Sequence, residues 1–450
     1  MNIYLISASH RNPDGSLYKA PRYWTSGITL PYLRALTPSC HRVEIVDEIT
    51  GTVDLESTAD VIGITGMGPQ MARAYELGDH FRARGRPVVM GGTWASLVPD
   101  QALSHADAVV VGEAEHVWES LLNDVAAGCL KPKYQADRWH TLENLPRFDY
   151  WSLPLFHRQQ WERSAFYRQY FHWPISISRG CPHTCEYCAV QTYYAQSFRS
   201  RPIDEVIEDF RTIKAMGGKK VLILDDNPIG NKQYAKELFR ALTPLGIKWA
   251  SQCTINIARD AELLDLAAKA GCVTLSIGLE SVSESNLNDV GKRFGKPERY
   301  SRDLAAIRGK GIQIIALMML GLDHDDASSF ARTLQFLVDN KISFLKLFLP
   351  CPYPGTKYYD DMEAAGRITT HDWGRYDYGS AIVKPVNVKS QEMLDGFTWV
   401  YKQFYSPRNI LRRMLPPPSG NYLETLFYTI GNYKVHRSLR NWKNTWAVIG

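Results

Sequence analysis

Two separate stretches of the chain alternate short apolar runs with helix-period segments, and that alternation leaves few folds open. In the first stretch, strand-like runs fall at Ile3–Ser7, Val43–Asp47, Val61–Thr65, Val88–Met90 and Ala108–Val111. Helical spacing covers Met71–Arg84 and Glu115–Ala126. Short apolar strands separated by helices predict a parallel sheet covered on both faces. Ligands of such sheets sit at the C-terminal strand ends. Here those ends carry Gly63-Ile-Thr-Gly66-Met-Gly68, Gly91-Gly92-Thr-Trp94 and Gly112-Glu113. Gly66, Gly91 and Gly92 are candidate contacts, because a residue without Cβ lets the backbone approach a large ligand closely. Plain turns are the competing reading.

Lys131–Trp151 break the rhythm with Pro132 and Pro146 and read as an extended linker. A second alternation follows, with strands at Ile175–Ser178, Val221–Leu224, Lys248–Gln252, Thr274–Ile277, Gln313–Met319 and Phe344–Phe348. Helical patterns lie between most of them, at Ile203–Met216, Gln233–Leu245, Ala261–Ala270 and Ser329–Asn340. Such repeats with right-handed crossovers predict a partial (β/α)6, TIM-like barrel with its chemistry at the C-terminal strand ends. The fold class is therefore α/β. We expect an N-terminal Rossmann-like domain at 1–130, a linker at 131–170, the partial barrel at 171–370 and a helical C-terminal cap at 371–450. The cap, from Gln391 onward, is expected to cover the barrel mouth.

The cysteine pattern says what that barrel holds. Cys40, Cys129, Cys253, Cys272 and Cys351 are scattered, whereas Cys181, Cys185 and Cys188 share the segment Ser178-Arg-Gly-Cys181-Pro-His-Thr-Cys185-Glu-Tyr-Cys188. Three thiolates in one tight loop hold three corners of a [4Fe-4S] cluster and leave the fourth iron without a protein ligand. Structural zinc is the alternative, with His183 as a fourth ligand. The spacing is atypical for a zinc finger and no second Cys-x-x-Cys pair follows, which favours iron and sulfur.

The Cys-x3-Cys-x2-Cys loop, with Tyr187 before its last cysteine, resembles the radical S-adenosylmethionine superfamily. The resemblance spans about Trp173 to Gly366. It implies that the open iron binds S-adenosyl-L-methionine and that an electron from the cluster yields a 5′-deoxyadenosyl radical. The segment Gly278-Leu-Glu280-Ser281 resembles the family's Gly-Leu-Glu-Ser stretch near the cofactor's ribose, and Met319-Leu-Gly321 lies near the adenine in relatives. Tyr187, Asp225, Gln252, Glu280, Ser281 and Gly321 are thus candidate cofactor contacts. Asp226, Cys351 and Tyr353 are candidate catalytic groups; helix caps and an inert buried thiol are the plainer readings. The turn Pro354-Gly355-Thr356 is similar to the cobalamin-associated branch. So is the N-terminal region, through Gly91-Gly92, Val110-Val-Gly112-Glu-Ala-Glu115 and Leu30-Pro-Tyr-Leu-Arg-Ala-Leu-Thr-Pro38. That resemblance implies a cobalamin-binding-type domain.

The implied enzyme abstracts hydrogen from a small-molecule substrate (a natural product, sugar, lipid or tetrapyrrole) and draws electrons from an external donor of the flavodoxin or ferredoxin type. Cobalamin-dependent C-methylation is the leading reaction. Cobalamin-independent dehydration, deoxygenation, cyclisation or epimerisation of a sugar-like intermediate, with a vestigial cobalamin domain, is the alternative. A non-catalytic iron–sulfur sensor would release no 5′-deoxyadenosine. RNA methylthiolation is excluded, since only Cys40 and Cys129 lie in the N-terminal region, and no nucleic-acid partner is expected.

Charge adds one further expectation. The formal net charge is +5, yet Tyr401–Gly450 alone carries +7, with Glu424 its single acid. A basic, aromatic tail suits peripheral contact with an anionic membrane surface, and Arg412-Arg413 suits a phosphate or carboxylate. A solvated helical face is the plainer reading. The longest apolar run, Ile312–Leu322, is too short to cross a bilayer. The opening residues have no basic lead, so a cytoplasmic enzyme is expected.

Overall fold

The computed structural model describes residues 1–12, 14–20, 25–154, 164, 168–169 and 171–439. The first sheet contains β1 (Asn2–Ser7), β2 (Arg42–Asp47), β3 (Val61–Thr65), β4 (Val88–Gly91), β5 (Ala108–Val111) and β6 (Lys133–Gln135). Its order is β2-β1-β3-β4-β5-β6, and every neighbouring pair is parallel. The order reverses between β1 and β3, the switch point beside which doubly wound sheets take ligands. Strand β6 falls within the expected linker: it is three residues long and buries only Tyr134, too little for a periodic signal.

The second unit opens with β7 (His172–Ile175), which leads into an antiparallel ribbon of β8 (Ser178–Gly180) and β9 (Phe198–Ser200). Five strands follow: β10 (Lys220–Ile223), β11 (Lys248–Cys253), β12 (Cys272–Glu280), β13 (Gln313–Met319) and β14 (Phe344–Phe348). They form a parallel arc in the order β14-β13-β12-β11-β10-β7, the open barrel that the alternation predicts. The first barrel strand lies a few residues earlier than expected, because Ser178 pairs with Ser200 in the ribbon and not with β10.

The open edge of β14 is covered by the helix Ser390–Phe404. Tyr401 on this helix and Tyr405 just past its end accept hydrogen bonds from the backbone N–H groups of Leu347 and Leu345 at 2.8 and 3.2 Å. Their hydroxyls also donate to the carbonyls of the same two residues, so the edge offers no ladder to another strand.

The helix Tyr422–Ser438 corrects the expected cap. It lies beneath the barrel, across the N-terminal strand ends, opposite the mouth. Glu424 pairs with Lys220 at the start of β10 at 2.6 Å, and Gln313 at the start of β13 donates to Thr425 at 2.9 Å. Tyr428 reaches Thr274, and Asn432 donates to the carbonyl of Ser343. Arg413 is also not offered to an anion. It is wholly buried, donating to the carbonyls of Ile342 and Phe404 and to Asn432 Oδ1. Arg440, Lys443 and the end of the expected cap lie outside the described residues. Among those described, no helix is long and apolar enough to cross a membrane.

Candidate functional site

The cysteine loop hangs between β8 and the short helix Ala189–Tyr193, and two contacts fix it. One runs to the N-terminal sheet. Arg179 in β8 pairs with Glu113 and Glu115 at 2.7 Å each, and Arg199 in β9 pairs with Glu113 at 2.8 Å. Burial alone would raise the Glu113 carboxyl; Arg199 and Arg179 overcome that and hold it below its ordinary value. The end of Val110-Val-Gly112-Glu-Ala-Glu115 therefore clamps the ribbon.

The second contact comes from the loop after β12. Here Ser283 caps the helix Glu284–Asp289, and Gly291 follows it at φ 69°, a left-handed conformation that glycine adopts freely. The Val290 carbonyl accepts from Glu186 N–H at 3.0 Å. A Cβ on Gly291 would stand 3.2 Å from the Thr184 carbonyl oxygen. The backbone of this turn thus abuts the cysteine loop.

Cys181, Cys185 and Cys188 line one cavity of about 510 Å³ at the barrel mouth. Burial pushes all three thiols up, Cys188 to about 12, so each holds its proton until a metal's charge displaces it. Among the described residues, no three His, Cys, Asp or Glu side chains converge as they must on a single metal ion. Three thiolates from one loop suit a cluster, which takes each on a different iron, whereas tetrahedral zinc needs a fourth ligand. His183 instead stacks on Phe294, with ring centroids 4.1 Å apart. Asn227 Nδ2 lies 3.8 Å from Cys181 Sγ, placed to donate to a ligating sulfur, and its Oδ1 is buried without a partner. The donor set fits a cluster.

Beside the cysteines, Glu280 ends β12 at φ 62°, where the register with β13 shifts. This non-glycine left-handed residue turns its carboxylate toward Lys292, 2.6 Å away, and Lys292 Nζ lies 3.4 Å from the Tyr187 hydroxyl. Burial alone would lower the Lys292 ammonium, but Glu280 and Cys185 raise it, so a cation is held next to the thiols. Gln252, Cys351 and Tyr353 line the same cavity. Cys351 and Tyr353 also pack against the N-terminal domain, and Tyr353 meets Trp94 edge to face.

A second cavity, of about 500 Å³, lies over the switch point of the first sheet and is lined by Gly63, Gly91, Gly92 and Gly112. Trp94 is fully buried on the far side among Tyr353, Trp373 and Tyr376, so its bulk leaves this cavity open. Gly92, at φ 95°, would bring a Cβ within 2.5 Å of Thr65 Oγ1. The two cavities share Met67, Thr93, Tyr193, Tyr194 and Asp226 in their walls. Burial pushes the Asp226 carboxyl at this junction up to about 6. Small backbone-lined strand ends that open onto the cysteine cavity fit one face of a broad, flat cofactor such as cobalamin.

Four expected contacts fall elsewhere. Asp225 lines the first-sheet cavity, and its carboxylate accepts from Ile177 N–H and Ser178 Oγ, which turns the chain into the ribbon. Ser281 Oγ is taken by Ser283 N–H and Asn286 Nδ2. Gly321 packs against Pro350 and Met393, and Gly66 against Gln70 and Met71. Asp225 and Gly321 serve contacts between elements, and Ser281 and Gly66 serve their own loops. Sequence reasoning passed over Lys292, although the Ser283 cap and Gly291 signal the short helix that returns the chain to Glu280. It also passed over Lys346, a lone charge within an apolar strand.

Residues 175–337 match the Radical SAM superfamily. Bacteriochlorophyllide d C-12(1)-methyltransferase of Chlorobaculum tepidum is 30% identical over 382 residues, covering 84% of this chain and 82% of that protein. Bacteriochlorophyllide d C-8(2)-methyltransferase of the same organism is 28% identical over 409 residues, covering 85% and 89%. The radical S-adenosylmethionine methyltransferase TsrM of Kitasatospora setae, solved with cobalamin and a [4Fe-4S] cluster bound, shares the fold. Its TM-score is 0.71 over 98% of this chain and 99% of that one, at 15% identity.

Proposed function

Because the chain belongs to the radical S-adenosylmethionine superfamily, in the branch with an N-terminal cobalamin-binding-type domain, we propose that it is a cobalamin-dependent C-methyltransferase of a small molecule. The observation that carries this reading is the shared wall between the two cavities. When bound, the cluster with S-adenosylmethionine supplies hydrogen abstraction from carbon, and cobalamin supplies the methyl group.

The rest falls to the chain's own residues. We assign Cys181, Cys185 and Cys188 to the cluster, with Asn227 donating toward Cys181. Lys292, held by Glu280, offers a cation beside the thiols for the carboxylate of S-adenosylmethionine, and Tyr187 closes that side. Gly91, Gly92 and Gly112 give cobalamin a backbone surface, and Asp226 stands where both ligands meet. Cys351 and Tyr353 wall the reaction space and keep water out. Relatives acting on bacteriochlorophyllide make a tetrapyrrole the first substrate to try. Electrons come from an external flavodoxin- or ferredoxin-type donor.

The test is anaerobic purification and reconstitution. We expect iron and sulfide near four each per chain, corrinoid absorption, and 5′-deoxyadenosine with S-adenosylhomocysteine on reduction. Cluster and 5′-deoxyadenosine without any corrinoid affinity would replace methyl transfer by the cobalamin-independent reading.

A further inference from the structure

Of the two lysines in the wall of the cysteine cavity, Lys292 and Lys346, only Lys346 lacks a counter-ion among the described residues. Strand β14 alternates strictly: Leu345 and Leu347 are buried in the outer core, while Lys346 and Phe348 face inward. Opposite them on β13, Leu317 and Met319 line the same space. Lysines are almost never buried unless paired. Lys220 has Glu424 and Lys292 has Glu280, whereas Lys346 has no ion pair or side-chain hydrogen bond among the described residues. Burial holds its ammonium below the ordinary lysine value, with no neighbouring charge contributing. Lys346 is half-buried at the cavity wall, an ammonium without a counter-ion there is poorly solvated, and an incoming anion removes that cost.

The cofactor's own carboxylate is not that anion. Lys292 Nζ stands 3.4 Å from the hydroxyl of Tyr187 in the cysteine loop, where an iron-bound group would lie, whereas Lys346 sits on β14 opposite Leu317, beside Met319 and Phe348. The geometry points to Lys346 as the anchor for an oxyanion, carboxylate or phosphate, on a substrate whose body is apolar and lies along Leu317, Met319 and Phe348. This deepens the proposed function and rests on it. A lysine meets such a group as a point charge, so both oxyanions suit it.

The experiment titrates cluster-loaded, S-adenosylmethionine-bound protein with decanoate, decyl phosphate and decanol by calorimetry. Formation of 5′-deoxyadenosine by the same preparation reports separately on the enzyme class. We expect Lys346→Met to weaken the anions at least about tenfold, roughly 1.4 kcal/mol, and to leave decanol unchanged. Lys346→Arg should retain anion binding. Loss confined to decyl phosphate or to decanoate identifies the oxyanion. Equal affinities in wild type and Lys346→Met, or no anion binding by wild type, overturns the assignment.

An independent feature lies at the opposite end of the barrel. The helix Tyr422–Ser438 is built inside out. Its polar Glu424, Thr425 and Asn432 are buried against the barrel floor, while Tyr422, Leu423, Leu426, Ile430 and Tyr433 are exposed. These five fall on one helical face, and Leu423 and Leu426 are 69% and 57% exposed. Lys434 and Arg437 border the face, and the neighbouring helix Pro407–Met414 exposes Arg408 and Leu411. From Tyr401 to Leu439 the only acid is Glu424, which Lys220 neutralises. Apolar and aromatic side chains framed by cations, with no exposed acid in either helix and only Asp339 beside Arg412 at the border, complement an anionic lipid surface. A second copy would set Lys434 and Arg437 against like charges.

We infer that this face seats the protein on anionic membranes with the barrel mouth turned away. Co-sedimentation of the full chain with phosphatidylcholine–phosphatidylglycerol vesicles should exceed that with phosphatidylcholine alone at least about tenfold, and salt should weaken it. The exposed double substitution Leu426→Glu/Ile430→Glu should remove it. Four outcomes overturn the inference: no binding, equal binding by the variant, a dimer that the variant dissolves, or binding only after residues 440–450 are deleted.

Discussion

Cys185→Ala is expected to abolish both the visible absorption of the reconstituted cluster and 5′-deoxyadenosine formation, down to the level of a protein-free mixture. Cys185 is the least exposed residue of the three cysteines, and the loop has no fourth sulfur to take its place. Cys253 lines the same cavity but on β11, away from the loop that would have to carry a ligand. Two remaining thiolates cannot hold a cubane whose third and fourth irons would both lack protein ligands. Conversely, Cys351→Ala removes a wall residue outside the loop and should leave cluster iron and sulfide unchanged. Full cluster content in Cys185→Ala would mean that the sulfur trio is not the ligand set.

The second large effect is expected at the clamp between the two sheets. Among the described residues, Arg179 is the only side chain that neutralises Glu113 and Glu115 together, and both carboxylates are nearly inaccessible. Arg179→Met should lower stability by about 3–5 kcal/mol, the usual consequence of leaving buried charge unpaired. The first unfolding transition of the holoprotein would show it. Arg199 still holds Glu113, and the Tyr32 hydroxyl still donates to Glu115 at 2.8 Å, so the loss should stay at the low end of that range. The pH dependence has a definite sign. Glu113 is held below its ordinary value, so its contribution is complete above about pH 4.3 and fades as pH falls through the lowered value. The gap between wild type and Arg179→Met should therefore persist at neutral pH and close only in acid. Arg179 and Glu113 also line the first-sheet cavity, so the variant should retain less corrinoid. Unchanged stability and corrinoid content together would remove the clamp from the account.

Much of the architecture was legible because apolar runs of strand length recur between amphipathic helices, and burying both faces of such strands leaves only parallel sheets. Strands β1 to β5 and β10 to β14 all lie on or within a few residues of those runs. Strand β6 escaped notice because three residues have no period, and β7 was misplaced because Ser176, Ile177 and Ser178 continue its alternation into the ribbon. The cap was put at the wrong end of the barrel for a deeper reason. Amphipathic reasoning buries apolar residues, and the helix Tyr422–Ser438 buries its polar ones, since the strand starts beneath it present Lys220, Gln313 and a free carbonyl.

The sequence by itself determined the two sheets, the trio of sulfurs and the glycine-rich strand ends, because each depends on neighbours within a few residues. The tertiary structure alone decided that Glu113 and Glu115 clamp the ribbon, that Lys292 finds Glu280, and that Lys346 finds no partner among the described residues. Those facts are set by which distant side chains the closing barrel and the docked sheet bring within a few ångströms. Pairing across such distances has no local period to betray it.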